Sequence, residues 1–125
     1  MDKEIWEKGR AARTKTLGAE YVERSLSTAD DFNAEWQDIV TEYCWGKIWG
    51  DDTIPPKTRS MLNLTMLASL GRMHEWELHC NGALNNGVTK DELKSVIHQI
   101  GIYAGVPAGV ECFRIARKVL KERGL

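Results

Sequence analysis

Residues 57–93, KTRSMLNLTMLASLGRMHEWELHCNGALNNGVTKDEL, decide the fold class. From Lys57 onward Met61, Leu62, Leu64, Met66, Leu67 and Leu70 recur at helical spacing and point in nearly every direction, the pattern of a helix buried on most sides. Gly71 is a natural stop, so the stretch GRMHEWELHC reads as the opening of a second helix, which Gly87 closes. Thr89 then caps a third, with Glu92 completing a Thr-x-x-Glu capping box.

Helical spacing continues on both sides. Upstream, STADDF (27–32) predicts a helix start, with Thr28 as cap and Asp30 and Asp31 near the positive helix terminus. That helix is expected to run to about Ile48 with Phe32, Trp36, Ile39, Val40 and Tyr43 as its apolar stripe, until Gly50 and Pro55-Pro56 end it. Downstream, Gly105 and Pro107 stop one helix and start the next, which is amphipathic through about Lys121; the terminal KVLKERGL reads as solvated. No segment keeps the strict alternation of a strand, and no repeat or linker interrupts the chain. The expectation is one all-α domain over residues 1–125.

Composition narrows the partners. The 125 residues are 42% hydrophobic and include five Trp, enough for a real core. A net charge of -1 leaves no basic excess for nucleic acid or an acidic membrane surface. No apolar run reaches the roughly 20 residues of a membrane span, and MDKEIWEKGR lacks a signal-peptide core, so the reading is cytoplasmic. Cys44, Cys80 and Cys112 are odd in number and widely spaced, which favours reduced thiols over disulfides or a zinc site. Cys80, beside His79, could be a nucleophile but reads more simply as a small core residue.

The chemistry gathers in GRMHEWELHC. Glu75 and His79 are four apart and share a helix face, where a carboxylate is expected to raise the imidazole pKa and hold one tautomer. An ordinary surface pair would look the same. Arg72 sits one turn before Glu75, at a helix start that favours an anion. His74 and Glu77 point elsewhere on the helix. His98 lies off the Leu93, Val96, Ile97 and Ile100 stripe and could meet a pocket or a neighbouring subunit, while Trp45 and Trp49 precede the GDDTIPP loop where a pocket wall is plausible. No phosphate loop, Ser-His-Asp signature or metal-ligand cluster is present, so catalysis here would be acid/base work without a metal or other cofactor.

The order of GRAARTKTLGAEYVERS (9–25), YCWGKIW (43–49), residues 57–93 and IGIYAGVPAGVECFRIA (100–116) resembles the gamma-carboxymuconolactone decarboxylase family, specifically its small stand-alone decarboxylases. The resemblance implies an alkylhydroperoxidase-like all-α fold in a ring-shaped homo-oligomer, a hexamer built as a trimer of dimers. It implies a cofactor-free reaction on a small carboxylate substrate: a lactone dicarboxylate loses carbon dioxide, the lactone carbonyl takes the electrons as a dienolate, and a protonated group returns a proton to carbon. Carried over by position, His79 is the donor, Glu75 orients it, and Arg72 faces the developing oxyanion. Arg59 is either a ligand for a substrate carboxylate or a structural salt-bridge partner.

Two alternatives stay open. Peroxide-reducing relatives carry a Cys-x-x-Cys where this chain has Arg72 and Glu75, and without that dithiol turnover through a disulfide has no basis. A helical oligomer that binds a ligand without turnover is the other. The chain also departs from the decarboxylases it resembles, with Asp51 and Asn81 where they usually have arginine. Two lost charge-assisted contacts point to a less anionic or differently shaped lactone or keto acid.

Overall fold

The computed structural model describes residues 1–125, all helical between short connections. The all-α expectation is met. The helices fall into two compact units, residues 1–56 and 57–125.

The first unit holds α1 (Lys3–Leu17), α2 (Ala19–Ser27), α3 (Ala34–Ile39) and a π-helical segment, Val40–Ile48, that continues α3. Asp2 caps α1 by accepting from the Ile5 N–H, and the Trp6 indole donates to Asp38 across the unit. Buried Arg13 donates to Gln37 and Thr41. At the crossing of α1 on the π segment the backbones nearly touch: a Cβ on Gly9 would lie 1.9 Å from the Thr41 carbonyl oxygen, so only glycine fits.

Two expectations change in this unit. Thr28 is not an N-cap; it ends α2, its hydroxyl donating to the Arg24 carbonyl at 2.6 Å. The helix starts later, after Asp30 has accepted from the Phe32 and Asn33 amides in a turn of its own. The Phe32–Tyr43 stripe is also turned outward, with Phe32 92% and Trp36 61% exposed. The buried positions of α1 and the π segment are instead Gly9, Arg13, Thr16, Thr41, Glu42, Trp45 and Gly46, largely small or polar.

The second unit holds α4 (Pro56–Ser69), α5 (Met73–Asn85), α6 (Lys90–Tyr103) and α7 (Val106–Glu122). The predicted breaks fall as expected. Gly71, at φ 73°, closes α4 in a Schellman motif: its N–H reaches the Ala68 carbonyl and that of Arg72 the Leu67 carbonyl. Thr89 and Glu92 form the expected capping box, and Pro107 sits in the first turn of α7. The core joins Leu64 and Ala68 to Trp76, Cys80, Ile97 and Cys112. Val119 belongs to it as well, so the terminal segment is not wholly solvated. Helix α4 is buried on one side only, since Leu62, Met66 and Leu70 are exposed.

Three polar links fix the register of α5 on α4. The Trp76 indole N–H donates to the Leu64 carbonyl at 3.0 Å, Asn63 meets His79 Nδ1 at 3.5 Å, and the Asn86 amide donates to the Ser60 hydroxyl at 3.0 Å. As α4 numbers fall, α5 numbers rise, so the two helices run antiparallel.

Replacing Gly9 by Ala tests the crossing in the first unit. Overpacking of this kind costs about 1–3 kcal/mol, and urea unfolding of Gly9→Ala should show at least that loss; unchanged stability would mean that the two backbones are farther apart than described.

Candidate functional site

Arg72 stands at the N-cap of α5, and its exposed side chain makes no hydrogen bond or ion pair. The guanidinium is therefore available at a helix terminus whose first N–H groups and dipole favour negative charge. One turn on comes Glu75, half-buried, and one turn further His79. The structure thus places the three side chains along α5 as the sequence implied, with Glu75 and His79 on one face.

Electrostatics at His79 differ from the expectation in sign. Glu75 does pull the imidazole pKa upward, but burial is the larger effect and lowers it from 6.5 to about 4. Burial wins because the imidazole gives up hydration on most sides, whereas Glu75 contributes one charge from a single direction. The resting imidazole is accordingly neutral at pH 7. Asn63 is the residue that sequence reasoning missed. Its side-chain nitrogen faces His79 Nδ1, so donation from the amide would leave the ring proton on Nε2. The available signal was one amide in the apolar run MLNLTML.

Arg59 lies half-buried on α4, one turn before Asn63 and on the same helix face. His74 is exposed, and Glu77 turns to Lys118 of α7 at 3.1 Å, in keeping with the reading of both as surface residues. The Cys80 thiol is fully buried and pushed up to about 12, and Cys112 to about 11, both chiefly by burial, so neither is a ready nucleophile near neutral pH. His98 is on the exposed side of α6 and packs on Phe113 of α7, ring centroids 5.8 Å apart. Trp45 and Trp49 belong to the first unit, stacked at 4.7 Å and only 4% and 7% exposed. Nowhere are three or more His, Cys, Asp or Glu side chains gathered so as to hold a metal ion.

The positions of the two missing arginines are also occupied. Asp51 accepts from the Thr53 hydroxyl at 2.9 Å. Asn81 accepts from Arg123, whose other terminal nitrogen donates to Asn85, so α7 brings a guanidinium against the helix position that lacks one.

A free arginine at a helix start, followed on the same helix by a carboxylate and a half-buried imidazole, gathers the groups that acid/base chemistry on an anion would use. The sequence profile of the Carboxymuconolactone decarboxylase family matches residues 34–118. The chain is 38% identical to the 4-carboxymuconolactone decarboxylase of Acinetobacter baylyi over 124 residues, 99% of this chain and 92% of that one. It is 31% identical to the nitrosuccinic acid decarboxylase of Metarhizium robertsii over 122 residues, 98% of this chain and 85% of that one. The chain belongs to the carboxymuconolactone decarboxylase family.

The His79 environment predicts a pH dependence of stability. With a folded-state pKa of about 4 against 6.5 unfolded, the unfolded chain takes up the proton first as pH falls. The contribution of neutral His79 is complete above pH 6.5 and lost on the way down to about 4. Between those values wild type should lose on the order of 2 kcal/mol relative to His79→Gln, measured as the difference in melting temperature across the series; parallel curves would contradict the assignment.

Proposed function

We propose that this protein is a decarboxylase of a small organic acid, a carboxy-lyase that works by acid/base chemistry on a lactone or keto-acid carboxylate. The observation that carries the reading is the α5 face: Arg72 free at the helix start, with Glu75 and half-buried His79 in successive turns. Support for the reaction class comes from the two decarboxylase relatives, whose names specify different acids and so allow the substrate to vary within one scaffold.

In this reading the bond to the departing carboxylate breaks, carbon dioxide leaves, and the electron pair passes to the neighbouring carbonyl as an enolate. Arg72 stabilises the developing oxyanion, and His79 delivers a proton to carbon. Neutral imidazole must first gain that proton. An anionic substrate beside His79 supplies the reason, since its charge raises the imidazole pKa and couples binding to proton uptake. Glu75 adds to the same pull and orients the ring, and Asn63 holds its Nδ1 side. Arg59 is assigned to a substrate carboxylate. Asp51 and Asn81, in place of arginines usual in the decarboxylases, favour a substrate less anionic than gamma-carboxymuconolactone or of different shape; Arg123 beside Asn81 compensates for one charge at most.

Purified protein screened against gamma-carboxymuconolactone and related lactone or β-keto acids, by ultraviolet absorbance and carbon dioxide release, tests the class. His79→Ala should lower turnover by about 10²- to 10⁴-fold with the helical circular dichroism intact, and Glu75→Gln should cost less. In wild type, kcat should fall with rising pH at a higher midpoint than kcat/KM, because substrate raises the His79 pKa. Activity within about tenfold of wild type in His79→Ala would remove His79 from the role.

The same reading includes a homo-oligomer, with a hexamer expected from the family resemblance. Supporting it are the exposed apolar faces Leu62–Met66–Leu70 on α4 and Ile102–Val106–Val110 at the α6–α7 turn. Sedimentation at micromolar concentration should give a multiple of the 14.2 kDa chain mass; a monomer would refute this part.

A further inference from the structure

A groove of about 400 Å³ runs between α6 and α7, lined by residues other than those of the acid/base site. Its floor is apolar: Leu93, Ile97 and Ala116 are buried, and Phe113 and Leu120 give it more open walls. Its rim is cationic, formed by exposed Lys90, Lys94, Arg117 and Lys121, with Asp91 the one acidic side chain among the lining residues. Asp91 lies 4.0 Å from Lys94. Lys90, Arg117 and Lys121 have no carboxylate within ion-pairing distance. Neighbouring cations of the same unit are treated differently, for Lys118 pairs with Glu77, Arg114 with Glu111 and Lys57 with Glu92. Three cations without a carboxylate partner, Lys90, Arg117 and Lys121, thus stand together around one apolar depression.

We propose that this groove binds a small amphiphilic carboxylate, its aliphatic or aromatic body on Leu93, Ile97 and Phe113 and its carboxylate toward Arg117 and the rim lysines. The volume lies within the range of small-molecule sites, about 300–1,000 Å³. An inorganic anion would leave the floor uncovered, and a neutral apolar molecule would leave the rim without its counter-charge. The organic anion satisfies both, with a charge-assisted contact at one end and apolar burial at the other. This site is formed by α6, α7 and the C-terminal Leu125 and does not rest on the decarboxylase reading.

Calorimetric titration of the full chain with octanoate, and with 1-octanol as the uncharged counterpart, tests it. Octanoate should saturate one site per chain, bind at least tenfold tighter than 1-octanol, and weaken at least tenfold in Arg117→Glu/Lys121→Glu. These positions are exposed, so the helical signal should be retained; Lys94→Gln/Arg117→Gln provides a milder second variant with the same direction of effect. His79→Ala should bind octanoate as wild type does. The proposal is overturned if octanoate shows no saturable binding, if both charge variants bind it unchanged, or if binding is lost in His79→Ala instead, which would place the ligand in the acid/base site. It is equally overturned if the wild type takes no octanoate and the charge variants lower the sedimentation mass, since a second copy of the chain would then fill the groove.

Discussion

The hydrogen bond from the Trp76 indole to the Leu64 carbonyl sets the geometry on which the site depends. Trp76 is fully buried between α4 and α5, and its one polar atom must find a partner there or cost about 1–3 kcal/mol. The Leu64 carbonyl, already within a helix, supplies a second acceptor position. Once the indole is anchored, rotation of α5 about its axis is fixed, because Trp76 is the residue immediately after Glu75. Glu75 and His79 then share a neighbouring, half-buried face of α5, and Asn63, one residue before the accepting carbonyl, meets the imidazole.

From that placement follows a competition at His79 between loss of hydration and attraction by Glu75. Burial prevails and the ring is neutral in the ligand-free protein. In the proposed reaction this ordering would have a use: the proton would be gained together with an anionic substrate, when Arg72 and the imidazole both have negative charge to stabilise. A permanently charged imidazole would pair with Glu75 and offer a weaker driving force for proton transfer.

Much of the second unit was legible because its signals are local. Gly71, the Thr89–Glu92 box and Gly105-Val106-Pro107 act through backbone geometry within a few residues, and the structure has each of them. The same holds for Arg72, Glu75 and His79, whose common helix makes spacing sufficient. Helix α1 was illegible for the opposite reason: its buried positions are Gly9, Arg13 and Thr16, so no apolar period announces it, and its fit depends on a backbone contact with Thr41 far along the chain. The Phe32–Trp36–Tyr43 stripe had the right period but faces outward, since periodicity marks an apolar face without saying what covers it. At His79 the sequence supplied the neighbour but not the depth of burial, and depth decided the sign of the shift.

Nuclear magnetic resonance titration of the His79 imidazole in the intact protein tests this account most directly. The account predicts a midpoint near 4 in the free protein, moving upward when a small dicarboxylate is bound. A midpoint at or above 6.5 without ligand would contradict it, showing that Glu75 outweighs burial and that the proton is in place before substrate arrives.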